Sequence, residues 1–366
     1  MTPAALTGYV TVPLFGALLC TVPAVTRPTL PFGVRVPPDH ARAAVIRRER
    51  RTYYWRSAAV AVCCAATAII FWGAGSWWLP RIILLLEAAA DVTCFRLARR
   101  KITAVKTAEG WFAGLRQTVV TDTSWRTQPQ PFPVRWLVPA IAVMAATTVI
   151  GVTRYPHLPA HLATGLATPG SRRVPTSPAS AFAMVISQLY VTGMWTGLMA
   201  LIYRSRPEID PADPAASLRG YRRLLHAYTR AALTMLALVD LTFLLAALQQ
   251  WQLYHLHGTS ATVLLLPAAA GVLILIAVAM RAGRDWARPA GSGQRPGRAV
   301  AAGRDDDRFW KAGLAYINRP DPAIVVTARI GVGWTLNLGN PVAWLIIAVI
   351  IATAAGLAMI RIAAGM

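Results

Sequence analysis

Three carboxylates stand where an apolar chain tolerates them least. Glu87 and Asp91 fall inside the apolar stretch 82–97, and Asp240 inside 231–249. Four residues apart, Glu87 and Asp91 share one helix face. A rise of about 1.5 Å per residue puts Asp91 and Asp240 near the middle of any bilayer those stretches cross. A carboxylate there costs roughly 2.5–3.5 kcal/mol on insertion scales, so it is either put to use or satisfied by neighbouring helices. Use would mean a proton or cation relay, or a polar ligand site. Satisfaction alone would mean a bundle held together by hydrogen bonds.

Other chemistry is thinner. His157 and His161, and again His255 and His257, are spaced closely enough to take zinc or copper or to sense acid. No carboxylate accompanies them, and Pro159 breaks the helix that would align the first pair, so they read as interfacial histidines. The run Asp305, Asp306, Asp307 has neither the central glycine nor the distal glutamate of a calcium loop. It reads as the cap of a helix over 308–316. The Gly331–Gly333 GVG lacks the third glycine of a nucleotide fingerprint, and no Walker loop, HExxH, nucleophile elbow or CxxC pair occurs. The expectation is therefore no enzyme, no cofactor and no metal. Cys20, Cys63, Cys64 and Cys94 all lie in apolar stretches, which argues against a disulfide framework.

What must position these side chains is a set of membrane helices. The 366-residue chain is 55% hydrophobic and 14% charged, with mean hydropathy +0.46. A span needs about 20 apolar residues. Eight stretches meet or approach this: 6–25, 57–79, 82–97, 136–152, 181–203, 231–249, 261–280 and 342–360. The first lacks the basic start of a signal peptide and reads as a retained span. The net charge of +22 is arginine-dominated and falls in blocks between the apolar runs, which points to anionic lipid rather than nucleic acid. The connections after the first, third, fifth and seventh stretches hold 32 of the 37 lysines and arginines. All four fall on one side of an eight-span bundle, and the positive-inside rule makes that side cytoplasmic, with both termini outside. Trp77, Trp78, Trp136, Trp251 and Trp344 mark span ends.

The organisation expected is an all-α bundle of about eight helices: a seven-helix membrane domain (1–283), a disordered Gly/Pro/Arg linker (284–304), a small cytoplasmic element (305–341) with a β-like run at 324–330, and an eighth helix with an outer C-terminus (342–366). Arg47, Arg48, Arg50 and Arg51 form a helical basic lead into the second span. Residues 101–120 could continue the third as a helix along the inner surface against anionic lipid. Gly193 and Gly197 predict close helix packing or dimerisation. Pro13, Pro139 and Pro267 predict kinks.

Three segments resemble a family of bacterial multi-pass membrane proteins that includes, distantly, the Sdp-type immunity proteins, which protect cells against a secreted toxin peptide. They are LPFGVRVPPDHA at 30–41, RYPHLPAHLATG at 154–165 and DDDRFWKAGLAYINRPDPAIVVTARIGVGWTLNLGN at 305–340. In the second, Tyr155, Pro156, Leu158, Pro159, Thr164 and Gly170 fit the family loop. Gly165 stands at its histidine position and Arg173 at its acidic one. In the third, Asp305, Asp306, Trp310, Asn318, Asp321, Pro322, Arg329, Gly331, Gly333, Trp334, Thr335 and Asn337 carry the likeness. The resemblance implies a sensor or immunity protein in the cell membrane. Its outer loops, with His161, His255 and His257, would meet a peptide or envelope signal, and its inner face a cytoplasmic regulator. A proton-coupled secondary transporter using Glu87, Asp91 and Asp240 is the alternative, and a membrane scaffold the third.

Overall fold

The computed structural model describes residues 11–13, 15–17, 19–71, 78–113, 117–118, 130–163, 173–209, 214–254, 263–287, 302–303 and 305–363. It is mostly helical, at 71%. The long helices are α1 (Ala44–Ile70), α2 (Leu79–Ala108), α3 (Val138–Arg154), α4 (Ala183–Tyr203), α5 (Pro214–Gln250), α6 (Leu266–Ala287) and α7 (Pro341–Ala363). Among the described residues, five helices are long and apolar enough to cross a membrane: Ala44–Ile70, Val134–His157, Ala183–Tyr203, Pro214–Gln250 and Val263–Ala282. The stretch 82–97 forms the middle of α2, whose Arg81, Glu87, Asp91 and Arg96 keep it out of that set. Within 6–25, the described residues 11–13, 15–17 and 19–20 are helical, as is Val22–Val25.

Several boundaries differ from expectation. The stretch 57–79 is not one helix. α1 starts at Ala44 and takes in the expected helical basic lead, which is good helix-forming sequence, but it ends at Ile70, and Leu79–Pro80 already opens α2. Residues 101–120 are helical only to Ala108. There Gly110 takes φ 57, and the N–H groups of Gly110 and Trp111 turn back to Thr107 and Lys106. That is a Schellman stop, which a glycine in the left-handed region permits. Pro139 and Pro267 fall in the first turns of α3 and α6, where a missing N–H costs nothing, so they start helices instead of kinking them. Most of the linker 284–304 lies outside the described residues. Its end, β4 (Ala302–Gly303), pairs in parallel with β1 (Gln117–Thr118).

The chain divides into two compact units, neither continuous in sequence. Unit 1 comprises residues 1–123, 206–221 and 283–340. Unit 2 comprises 124–205, 222–282 and 341–366. In unit 1, α1 and α2 pack as an antiparallel pair. Phe32 sits between them with its ring 5.4 Å from both Tyr53 and Phe95, beside buried Ile46, Ile102 and Trp111. Residues 305–340 add two antiparallel hairpins, β5 (Trp310–Lys311) with β6 (Ala315–Tyr316) and β7 (Val325–Thr327) with β8 (Trp334–Leu336). The helix expected over 308–316 does not form. A single 3-10 turn, Asp307–Phe309, gives way to the first hairpin, because Ala312 (φ 52) and Gly313 (φ 74) reverse the chain and let Trp310 pack on Tyr316.

In unit 2, Ala140, Leu233 and Leu236 form one core layer, and Met184, Ala246, Ala247 and Trp251 another. Close helix approach occurs at Gly151, where a Cβ would stand 2.9 Å from the Trp251 ring, and at Gly271, 3.0 Å from Met235. Among the described residues nothing lies within 4 Å of where a Cβ would stand at Gly193 or Gly197, so that pair packs against none of the described helices.

Candidate functional site

Unit 1 holds a cluster of ion pairs that gathers residues far apart in sequence. Phe32 (φ 48) and Gly33 (φ 70) turn the chain sharply. The turn brings Gly33 against Gly313, where a Cβ would meet the Gly313 carbonyl at 2.9 Å. Arg99 bridges the two strands by donating to the carbonyls of Phe32 (3.2 Å) and Trp310 (3.5 Å). The same turn aims Arg35 at Asp306, at 2.8 Å, and at Glu208. The Arg35 backbone N–H donates to Asp307 at 3.0 Å. Arg27 donates to Glu208 at 3.0 Å. Lys106 reaches Asp307 (2.6 Å) and Asp305 (2.8 Å). Arg329, its side chain 1% exposed, sits at the centre. It pairs with Asp306 and Asp307, donates to the Gly33 carbonyl at 2.8 Å and lies 4.9 Å from the Trp310 ring.

A buried charge is tolerated when it is paired and hydrogen-bonded. Here Arg27, Arg35, Lys106, Arg329 and the carboxylates they meet each have a partner of opposite charge, although the Arg329 Nε–H finds no acceptor among the described residues. Burial alone would raise the Glu208 carboxyl, but Arg27 and Arg35 outweigh it and hold it well below the carboxylate range. Asp307 follows the same logic: burial raises it, and Arg329 and Lys106 bring it below its ordinary value. Burial would lower Arg35, yet Glu208 and Asp306 leave its guanidinium more firmly charged than usual. The aspartate run is thus turned to cations of its own chain, which explains the three acids better than a helix cap does.

A second knot, centred on a neutral amide, sits beside it in sequence. Asn337 is wholly buried, and its amide donates to the carbonyls of Asn318, Asp321 and Ala323. Its oxygen accepts from the N–H groups of Asn318 and Gly339, both at 3.0 Å. A side chain at Gly339 would meet the Asn318 backbone at 2.6 Å. Asp321 accepts from Tyr316 (2.9 Å) and Arg206 (3.2 Å), and the apolar surroundings first, then this carboxylate, push the Tyr316 hydroxyl up to about 12. Gly331 (φ 65) and Gly333 (φ 143) form the turn between β7 and β8. Thr335 pairs with Val326, Trp334 donates to Tyr221 at 3.0 Å, and the Pro322 carbonyl accepts from Asn340.

The acids inside apolar helices are arranged differently. In unit 1, Glu87 and Asp91 are both buried on α2. Ser57 donates to Asp91 at 2.5 Å and accepts from the Cys20 thiol at 3.3 Å. Neither Glu87 oxygen has a partner among the described residues, and a Cβ at Gly16 would collide with the Glu87 carboxyl. In unit 2, Asp240 accepts from Thr192 at 2.8 Å, while Gln188 donates to the Asp240 carbonyl (2.9 Å) and to Thr147 (3.1 Å). None of the three carboxylates faces a cation among the described residues. Each is a group that can take up or release a proton inside an apolar helix.

In the loop after α3, the described segments 155–163 and 173–180 are tied by local bonds. Tyr155–His157 is a 3-10 turn, with the Tyr155 ring 5.8 Å from Phe182. β2 (His161–Ala163) pairs with β3 (Arg173–Pro175), burying Leu162 and Val174 and exposing His161 and Arg173. Thr176 donates to the Pro159 carbonyl, and Ser177 and Ser180 form a reciprocal capping box. Pro156 is exposed and Leu158 half-buried. Thr164, Gly165, Gly170, His255 and His257 lie outside the described residues.

Sequence reasoning named Asp305, Asp306, Trp310 and Arg329 but not their partners. Arg35 lay in a segment already singled out, 30–41, but the turn at Phe32–Gly33 was not read from it. Arg27, Arg99 and Lys106 read only as positive charge, and nothing near Glu208 distinguished it. A model described as a family of unknown function (DUF5808) matches residues 320–344, the segment that carries Arg329, the second hairpin and Asn337. No curated protein and no solved structure matches the chain.

Proposed function

We propose that this chain is a sensor or immunity protein of the bacterial cell membrane, akin to the Sdp-type immunity proteins, that meets a peptide or envelope signal on its outer loops. Eight spans, with the basic connections and the 305–340 hairpins in the cytoplasm, complete this reading. The observation that carries it is the pair of segments Tyr155–Ala163 and Arg173–Ser180. A 3-10 turn, a hairpin over two buried residues and a capping box fix their exposed side chains, among them His157, His161 and Arg173. Pre-ordered exposed groups are what recognition needs, because less entropy is lost on binding. The test is membrane potential in a sensitive host that expresses the protein and is challenged with medium from the native organism and with membrane-active peptides. Protection is expected, and scrambling 154–165 removes it. Protection indifferent to that loop overturns the reading.

Glu87, buried on α2 with no partner among the described residues, supports a second reading, a proton-coupled transporter. Proton-coupled flux in vesicles that disappears in Glu87→Gln and Asp91→Asn would favour it. Unchanged flux in both variants would end it.

A further inference from the structure

We propose that the paired ends of α1 and α2 form a binding site for the headgroup of an anionic phospholipid. An open cleft of about 550 Å³ lies between the first turns of α1 and the last turns of α2. Its walls include Ala44, Val45 and Ala104, and Arg48 and Lys101 stand on its rim. Glu49 is buried and holds the Lys101 ammonium at 3.1 Å, while the lysine side chain stays 52% exposed. An ammonium has three donors and this pair takes one, so the lysine is fixed in place with hydrogen-bonding capacity to spare. Arg48 is exposed and pairs with no carboxylate among the described residues. Arg47 and Arg51 on α1 and Arg100 on α2 are exposed as well.

The surroundings select a lipid over a soluble anion. Tyr54 and Trp55 are 52% and 63% exposed on α1, followed by the exposed apolar residues Val62, Ile69 and Ile70. Exposed amphipathic aromatics ahead of an apolar run mark the edge of a membrane. Arg48 lies seven residues before Trp55, about 10 Å along the helix, which brings the cleft to the headgroup layer. Cations there attract acidic headgroups. The apolar walls suit the glycerol carbons of a lipid and offer nothing to a free phosphate. The inference rests on α1 crossing the membrane, and a chain that stayed monodisperse in water without detergent would remove that premise separately.

The test uses the full chain in a neutral detergent, titrated with short-chain phosphatidylglycerol or phosphatidylcholine and read by native mass spectrometry. Phosphatidylglycerol is expected to be preferred. Arg48→Gln with Lys101→Gln should weaken it by about tenfold or more, as two surface cations are lost. Arg219→Gln with Arg223→Gln removes the same charge elsewhere and should leave binding unchanged. Ala104→Trp fills the cleft without touching a charge and should also weaken binding, which keeps the test decisive if the double variant fails to fold. Equal losses in the two charge variants, no loss in the cleft variants, or displacement by free glycerophosphate at the same concentration would each overturn the proposal.

Discussion

The hub of unit 1 and the helix acid of unit 2 solve the same problem by opposite means. Around Arg329, four carboxylates meet the cations Arg27, Arg35, Lys106 and Arg329, and charge compensates charge. Around Asp240, only neutral groups are at hand among the described residues: one hydroxyl, with a glutamine amide occupied by the Asp240 backbone carbonyl. Residues 305–340 form short hairpins with little core, and such strands need strong local ties. α5 buries its apolar face whatever Asp240 does. The hub is therefore the part of the structure on which a fold depends, whereas Asp240 is a polar group the fold tolerates. An acid that folding does not need is the better candidate for function.

The largest effect that would sharpen this contrast comes from Arg329→Met. Removing one partner of a buried ionic cluster costs about 3–5 kcal/mol. Hydrogen exchange across 305–340 should accelerate accordingly while unit 2 stays protected. If exchange there is unchanged, the hub does not hold the hairpins. Asn337→Ala comes next. It strands buried backbone groups at about 1–3 kcal/mol each, partly relieved by water, and should loosen the second hairpin more than the first. Limited proteolysis within 320–344 would read it.

Acid should act on the hub in the same direction. Glu208 and Asp307 sit below their ordinary values of 4.5 and 3.8. Lowered carboxylates contribute stability that is fully present above those values and is lost as pH falls through the lower folded ones. Protection of 305–340 should thus be flat near neutrality and begin to fall below about pH 4.5. A loss already complete at pH 6 would contradict it. The smallest effect belongs to Asp240→Asn, which keeps an acceptor for Thr192 and should change thermal stability by less than about 1 kcal/mol. Destabilisation as large as that of Arg329→Met would erase the comparison.

Helical, membrane-type architecture was legible because it depends on local apolar length, which lipid enforces on any backbone. Glu87, Asp91 and Asp240 were legible for the same reason, as charges in the wrong solvent. Helix limits were less so. The helical lead into α1 was legible from its arginine-rich sequence, whereas the stop of α2 at Ala108 was set by one left-handed glycine that the hydropathy pattern does not reveal. The aspartate run was misread as a cap because its partners lie up to 272 residues away in sequence.

By itself, the sequence determined that long apolar helices alternate with basic connections, and which acids fall inside apolar stretches, since these follow from composition over a window. Only the tertiary structure decided which charges meet. A salt bridge is short-ranged, and the turn at Phe32–Gly33 and the reversal at Ala312–Gly313 bring Arg35, Glu208, Asp306 and Arg329 within reach of one another.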